Sequence, residues 1–157
     1  MSVFNNIIWI IFVFSATVLA QLSSRLEVNS SYDDNVFRSQ EPTEDFVSDL
    51  SLDLSFGFDN SNLQIYYDGN YILYRNLKER NLSLHQLGFS HFISFGEEDL
   101  HTFFFGVNGL TRIDGEEYQI YDYNQLYAYA NFRFDLESLF IKTGYNFRYR
   151  DYKNFSE

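Results

Sequence analysis

The chain contains no cysteine and only one proline among its 157 residues. The absence of cysteine excludes disulfides, thiol catalysis, cysteine metal sites and a lipoprotein anchor. Because proline cannot donate a ladder hydrogen bond, its scarcity favours long β-strands. Basic residues are also few, with 11 Lys and Arg against 22 Asp and Glu and a net charge of −11. Nucleic-acid binding needs a basic surface, so we expect no nucleic-acid partner. The three histidines have no metal-ligand spacing, and neither a metal nor a cofactor is predicted.

Long hydrophobic runs are confined to the N-terminus. The apolar run from Ile7 to Leu19 is shorter than the roughly 20 apolar residues that a transmembrane helix needs. Val18-Leu19-Ala20 before Gln21 is similar to a signal-peptidase site, although residues 1–6 carry no Lys or Arg. The alternatives are an uncleaved anchor and a buried first element. We predict a helical signal peptide at residues 1–20 and a mature chain that begins at Gln21.

Aromatic residues are abundant, at 20 % of the chain, and apolar residues alternate with polar ones over long segments. From Phe46 to Phe58 nearly every second residue is apolar. A strand places successive side chains on opposite faces, so this segment has one apolar and one polar face. Strands of soluble sandwiches usually have about five or six residues, whereas a tilted strand needs about ten to cross a bilayer. The mean hydropathy of −0.28 does not exclude such a strand, because its polar face lowers the average.

The same alternation predicts seven strands in one domain, residues 21–157. Their predicted ranges are 25–32, 46–58, 63–75, 82–95, 100–112, 123–135 and 139–150. Asp59 to Asn62 is predicted to turn the chain. The fourth range changes phase, so we expect a β-bulge near His85 and Gln86. In the fifth, at least one ring of the consecutive Phe103, Phe104 and Phe105 must lie on the polar side. The predicted fold is all-β, an antiparallel up-and-down transmembrane β-barrel.

The predicted connections alternate between long and short, which is typical of outer-membrane barrels. We therefore predict the cell outer membrane as the location, with the first strand starting in the periplasm. Seven strands are an odd number, and an open edge in lipid leaves backbone groups unpaired. The chain also ends in Glu157, whereas many such barrels end in the aromatic residue that their assembly machinery recognises. We predict an incomplete larger barrel, truncated in the loop that starts at Asp151; the alternative is assembly of several copies.

The segment from Ser31 to Arg38 contains Tyr32, Asp33, Asp34 and Asn35 before a hydrophobic residue and Phe37. It resembles the end of the first strand in many Gram-negative outer-membrane barrel proteins, often uncharacterised, some of which are associated with exopolysaccharide export. The resemblance implies the fold, the location and no catalytic residues. Separately, we expect outer-membrane lipid, the barrel assembly machinery and a polar solute or polysaccharide as partners. The acidic residues of the motif could hold a cation, although a solvated turn is the commoner outcome.

The predicted inner face carries charges of opposite sign on different strands. The acidic residues are Asp49, Asp53 and Asp68, and the basic residues are Arg133, Lys142, Arg148 and Arg150. They predict either a transverse field that selects solutes or a lumen plugged by paired charges. Four inner tyrosines either stack on sugars or fill space: Tyr66, Tyr74, Tyr127 and Tyr129. The outward Tyr71, Tyr145, Phe147 and Tyr149 are typical of a membrane-interface girdle.

No enzyme is predicted. Ser90 and His91 are adjacent, so in a strand they point to opposite faces and cannot form a nucleophile–base pair; no Gly-x-Ser-x-Gly motif is present. The preferred hypothesis is a passive pore or an envelope export component of unknown substrate. One alternative is a non-conducting barrel, surface-binding or structural, that displays its outer loops. A second alternative is a secreted soluble β-sandwich.

Overall fold

A computed structural model describes residues 22–58, 61–136 and 138–154, so the predicted signal peptide lies outside the described residues. The described residues form one antiparallel sheet in which each strand pairs with the next in the chain. The strands are β1 (Leu22–Asp33), β2 (Asp45–Gly57), β3 (Leu63–Tyr74), β4 (Leu82–Phe95), β5 (His101–Asp114), β6 (Tyr123–Leu136) and β7 (Leu139–Tyr152). Short 3₁₀ turns cover Lys78–Arg80, Glu97–Asp99 and Glu116–Tyr121. The all-β class and the seven up-and-down strands are confirmed. β1 and β7 form the two open edges of this sheet.

The register gives the sheet two faces of opposite character. Even-numbered residues of β1, β2 and β6 share one face with odd-numbered residues of the other four strands. This apolar face carries, for example, the aligned pairs Leu26–Leu52 and Phe103–Phe132. The remaining strand residues form the polar face. On β3 and β7, the residues predicted for the inner surface lie on the polar face, and those predicted for the outer surface lie on the apolar face.

No large apolar side chain is buried anywhere in residues 22–58, 61–136 and 138–154. The strands expose twenty-five large apolar side chains, and twenty-one of them lie on the apolar face. Leu26 is 67 % exposed and Tyr145 is 73 % exposed. A soluble sheet covers such a face with a second layer of structure. Here the described elements supply no second layer, so the apolar face is open.

β4 differs from its prediction. Its register with β5 is unbroken from Leu82, opposite Asp114, to Phe95, opposite His101, so the predicted bulge is wrong. Leu82 and Leu84 lie on the polar face. Leu82 lines a small cavity beneath the loops that follow β3 and β5.

The consecutive phenylalanine rings of β5 alternate between the two faces, and β7 is longer than predicted. Phe103 and Phe105 lie on the apolar face and Phe104 lies on the polar one, so at least one of the three rings is on the polar side, as predicted. β7 runs through Asp151 to Tyr152, so the loop predicted from Asp151 begins later; residues 155–157 lie outside the described residues.

The connections differ in length between the two rims of the sheet. Residues 34–44, 75–81 and 115–122 join strands at one end, which we call the long-loop rim. Residues 58–62, 96–100 and 137–138 join strands at the other end, the short-turn rim. In the first short turn, the amide of Leu63 donates to Oγ of Ser61 at 3.0 Å; residues 59–60 of that predicted turn lie outside the described residues. The predicted alternation of long and short connections is confirmed.

The ends of the strands are staggered across the sheet. We call a series of direct cross-strand partners, followed from strand to strand, a ladder row. The ladder row that starts at Tyr152 on β7 reaches β1 at Glu27, which lies six residues before the end of β1 at Asp33. The row that starts at Leu22 on β1 reaches β7 at Phe147, eight residues after its start at Leu139. Over the six steps from β1 to β7, the strands therefore slide by one residue or slightly more per step.

None of the helical turns in the described ranges is long and apolar enough to span a membrane.

Candidate functional site

The polar face carries every charged and aromatic residue that the sequence predicted for an inner surface. One ladder row shows the arrangement: it joins Arg25, Asp53, Asp68, Gln86, Leu110, Gln125 and Arg150. The alternation of the strands and the register produce this row, because direct partners in an antiparallel ladder share a face. The face is therefore a candidate solute-contacting surface.

The acidic residues form one group in the middle of β2 and β3. Asp53 and Asp68 are direct partners, an arrangement that is unfavourable for two carboxylates of like charge. Asp68 accepts a hydrogen bond from Nε2 of Gln86 at 3.3 Å. Asp49 accepts one from Nδ2 of Asn70 at 2.6 Å. These contacts give the acidic group neutral partners on neighbouring strands.

The basic residues divide into two groups along β6 and β7. Arg148 and Arg150 lie towards the long-loop rim, where Arg150 donates to Oε1 of Gln125 at 2.7 and 3.2 Å. Arg133 and Lys142 lie towards the short-turn rim, each three residues from the end of its strand. Within the described ranges no ion pair joins the acidic group to either basic group. The structure places all seven residues on one face but does not bring the opposite charges into contact.

Two of the predicted tyrosines lie against glycines of neighbouring strands. Tyr66 is the direct partner of Gly88, and a Cβ at Gly88 would stand 2.7 Å from the Tyr66 hydroxyl oxygen. Tyr129 is the direct partner of Gly106, where a Cβ would stand 2.5 Å from the Tyr129 hydroxyl oxygen. The glycines therefore provide space for rings that lie along the sheet. Sequence reasoning found the tyrosines and missed the glycines, because only the register shows that they are partners.

Tyr127 and Tyr74 have different surroundings. The hydroxyl of Tyr127 donates to Oδ1 of Asn146 at 2.7 Å, and its ring lies 5.4 Å from the Arg148 guanidinium. Tyr74 lies at the long-loop end of β3, with its ring 5.4 Å from the Arg80 guanidinium. These two tyrosines hold neighbouring polar side chains in place.

The Tyr32–Asn35 motif forms the exit from β1. The amide of Asn35 donates to Oδ1 of Asp33 at 2.9 Å, and the amide of Ser39 donates to Oδ1 of Asn35 at 3.1 Å. The hydroxyl of Tyr32 donates to Glu44. Asp33 and Asn35 thus turn the chain through hydrogen bonds to the backbone, as expected for these residue types. Asp34 is exposed.

Buried polar side chains fix the long-loop rim, and sequence reasoning missed them. Asp45 is 1 % exposed and accepts hydrogen bonds from the amides of Asn76, at 3.0 and 2.9 Å, and Leu77, at 2.8 Å. Asp122 is also buried and accepts a bond from the amide of Asp114 at 2.7 Å. Two carboxylates therefore anchor the loops to the strands. In the sequence, the only signal is an acidic residue next to a predicted strand end.

Arg80 connects three parts of the same rim. Its guanidinium lies 4.7 Å from the ring centroid of Phe37, 5.4 Å from that of Tyr74 and 5.5 Å from that of Tyr118. A cavity of about 270 Å³ lies beside it, between Arg112 and the loop 115–122. The loops 34–44, 75–81 and 115–122 therefore pack together over the end of the polar face.

The adjacent Ser90 and His91 do not face one another in the structure. Ser90 lies on the polar face and His91 on the apolar face, as predicted from their adjacency. The described part of the chain contains no group of three or more His, Asp or Glu residues that could hold a metal ion. No protein-family model matches the chain, and no curated protein and no solved structure matches it significantly.

Proposed function

We propose that the chain forms the wall of an outer-membrane β-barrel whose polar face lines a passive pore or an export channel. The observation that carries the proposal is the open apolar face, which runs across all seven strands without a buried core. Lipid is the one environment in which such a face needs no protein cover. Strands of 12–14 residues are long enough to cross the bilayer at a tilt.

The stagger of the strand ends supports the same proposal. In a barrel, both rims lie parallel to the membrane, so the slide per strand sets the tilt of the strands. A slide of six to eight residues over six steps, with about 3.3 Å per residue and about 4.8 Å between strands, gives a tilt of about 35–43°. Transmembrane barrels have tilts of about 35–45°. A register that had no such slide would not fit a barrel wall.

Aromatic rings at both ends of the apolar face add support. Tyr32 and Phe46 lie 5.3 Å apart at the long-loop rim. Phe95 and Phe134 lie 6.1 Å apart at the short-turn rim, next to His101. Rings at these two levels are typical of the girdles that flank the apolar band of a barrel.

Closure of the barrel requires additional strands. β1 and β7 both run from the short-turn rim to the long-loop rim, because the number of strands is odd. Copies of the sheet inserted in the same orientation would therefore meet in parallel pairs. A barrel that is antiparallel throughout needs an odd number of further strands between β7 and β1. This parity favours a larger barrel, of which the described sheet is one part, over a ring of identical sheets.

Single-cysteine variants test the proposal directly, because the chain has no native cysteine. Leu50→Cys and Leu52→Cys lie on the apolar face, and Asp49→Cys, Ser51→Cys and Asp53→Cys lie on the polar face. Each variant is folded into phosphatidylcholine vesicles and labelled with an environment-sensitive fluorophore. We expect quenching by nitroxide lipids at the even positions and by iodide at the odd positions. Equal quenching at adjacent positions, or strands that leave the vesicles in high salt, would contradict the proposal.

The packed long-loop rim favours a second candidate, a non-conducting barrel that displays its loops. The carboxylates of Asp45 and Asp122 and the Arg80 cluster give these loops a defined surface. Planar-bilayer recordings separate the two candidates: ion-sized current steps support the pore, whereas stable insertion without current supports the display barrel. A soluble sandwich would need a second sheet against the apolar face, and the described strands form one sheet.

A further inference from the structure

A cavity lies on the polar face near the short-turn rim. It has a volume of about 550 Å³, which is within the usual range of roughly 300–1,000 Å³ for small-molecule sites. Its polar-face lining comes from three adjacent strands, namely Thr102 and Phe104 of β5, Asn131 and Arg133 of β6, and Lys142 and Gly144 of β7. The acidic group, the Tyr32–Asn35 motif and the long-loop rim contribute no residue to the lining of this cavity.

The cavity has excess positive charge. Arg133 and Lys142 are direct cross-strand partners, so two like charges lie side by side, which is unfavourable without a counter-charge. Asp135 accepts a hydrogen bond from Nη2 of Arg133 at 2.8 Å. The ammonium of Lys142 lies 5.3 Å from the Phe140 ring and forms no ion pair within the described ranges. One carboxylate therefore balances two cations.

The acidic turn on the same rim does not supply the missing counter-charge. Glu97, Glu98 and Asp99 lie between β4 and β5, and none of them forms an ion pair with Arg133 or Lys142. The cavity thus keeps its positive charge in a chain whose overall charge is strongly negative.

Neutral donors complete the lining. Thr102 is the direct partner of Arg133, and Asn131 is the direct partner of Gly144, so both side chains adjoin the two cations on the same face. In the described part of the chain, neither side chain has a hydrogen-bond partner. Phe104 adds an apolar wall, with its ring 5.2 Å from that of Tyr129. An ammonium, a guanidinium, a hydroxyl and an amide beside an aromatic ring match an anionic group attached to a less polar body.

We infer that this cavity binds the carboxylate or phosphate group of a small solute. Nζ of Lys142 and the Arg133 N–H groups that Asp135 leaves free donate to the oxyanion, and Thr102 and Asn131 add neutral hydrogen bonds. The inference goes beyond the proposed pore. Three adjacent strands form the cavity, so the binding site does not depend on closure of the barrel. In the proposed barrel, the site would lie at the short-turn mouth, where it would concentrate anionic solutes.

The three lysines of the chain make a site-resolved test possible, because Lys78 and Lys153 lie at the other rim. The chain is folded in zwitterionic detergent micelles, its lysines are converted to ¹³C-dimethyl-lysines that keep their charge, and NMR signals are assigned by Lys→Arg substitution. Inorganic phosphate and acetate are then titrated separately at constant ionic strength. We expect the Lys142 signal to shift to saturation while the other two signals drift without saturating. The tighter of the two anions identifies the preferred group.

Variants distinguish a built site from general charge. Arg133→Gln should weaken binding about tenfold or more, because it removes a charged donor, and Thr102→Val should weaken it less. Arg148→Gln removes a charge from the same face at the far rim and should leave the affinity unchanged. A β-sheet circular dichroism spectrum serves as the control that the chain is folded. In a folded chain, equal shifts of all three lysine signals would overturn the inference. Equal weakening of binding by Arg133→Gln and Arg148→Gln would overturn it as well. Loss of that spectrum in the unaltered chain would count against the proposed barrel and against the site with it.

Discussion

Leu52→Arg places a charge in the middle of the apolar face. Leu52 is the eighth of thirteen residues of β2, and its direct partners are Leu26 and Gly69. The carboxylates of the neighbouring strands lie on the other face, so the new guanidinium would have no counter-charge. For an arginine at the midplane of a barrel's lipid face, the cost is about 2–4 kcal/mol. This corresponds to a decrease of about 30- to 700-fold in the folding equilibrium.

Ser51→Arg is the matched control, with the same substitution one residue away. Ser51 lies on the polar face, where its direct partners are Glu27 and Asn70. The new cation would adjoin a carboxylate and water, so we expect a change below about 0.5 kcal/mol. Urea titration in phosphatidylcholine vesicles, followed by far-UV circular dichroism, measures both variants against the unaltered chain. Equal costs for the two variants would show that the two faces of β2 meet similar surroundings and would refute the reasoning.

Two further predictions concern packing and the rim. Gly106→Ala should destabilise the sheet by about 1–3 kcal/mol, because its Cβ would meet both a tyrosine ring and a backbone oxygen. Gly57→Ala, which meets nothing within 4 Å, should stay within about 0.5 kcal/mol in the same urea titration. Asp45→Ala should speed proteolysis within residues 75–81, because it removes the acceptor of two backbone amides there. Cleavage within 96–100 should not change, and equal acceleration at both rims would contradict the anchoring role.

The sequence predicted the strands well because each strand carries its own alternation. β4 was predicted with its observed ends, Leu82–Phe95, and the other strands differ by three residues or fewer at either end. The misplaced bulge has a specific cause. Leu82 lines a cavity beneath two loops, and a periodic pattern cannot distinguish a side chain that lies near a loop from one on the apolar face.

The candidate site was predicted residue by residue but not as an arrangement. Alternation assigns Asp53 and Asp68 to the polar face, and only the register shows that they are direct partners. The pairing of Tyr66 with Gly88 and of Arg133 with Lys142 likewise depends on which residues oppose each other across a ladder. A single strand carries no information on that point, because register is set by turns and neighbouring strands.

Polarised infrared spectroscopy of the chain in oriented bilayers tests the central claim most directly, since amide I dichroism reports the strand direction. The register predicts strands tilted by about 35–43° from the membrane normal. Strands that lie in the plane of the membrane, or that show no preferred direction, would contradict a sheet whose apolar face meets lipid.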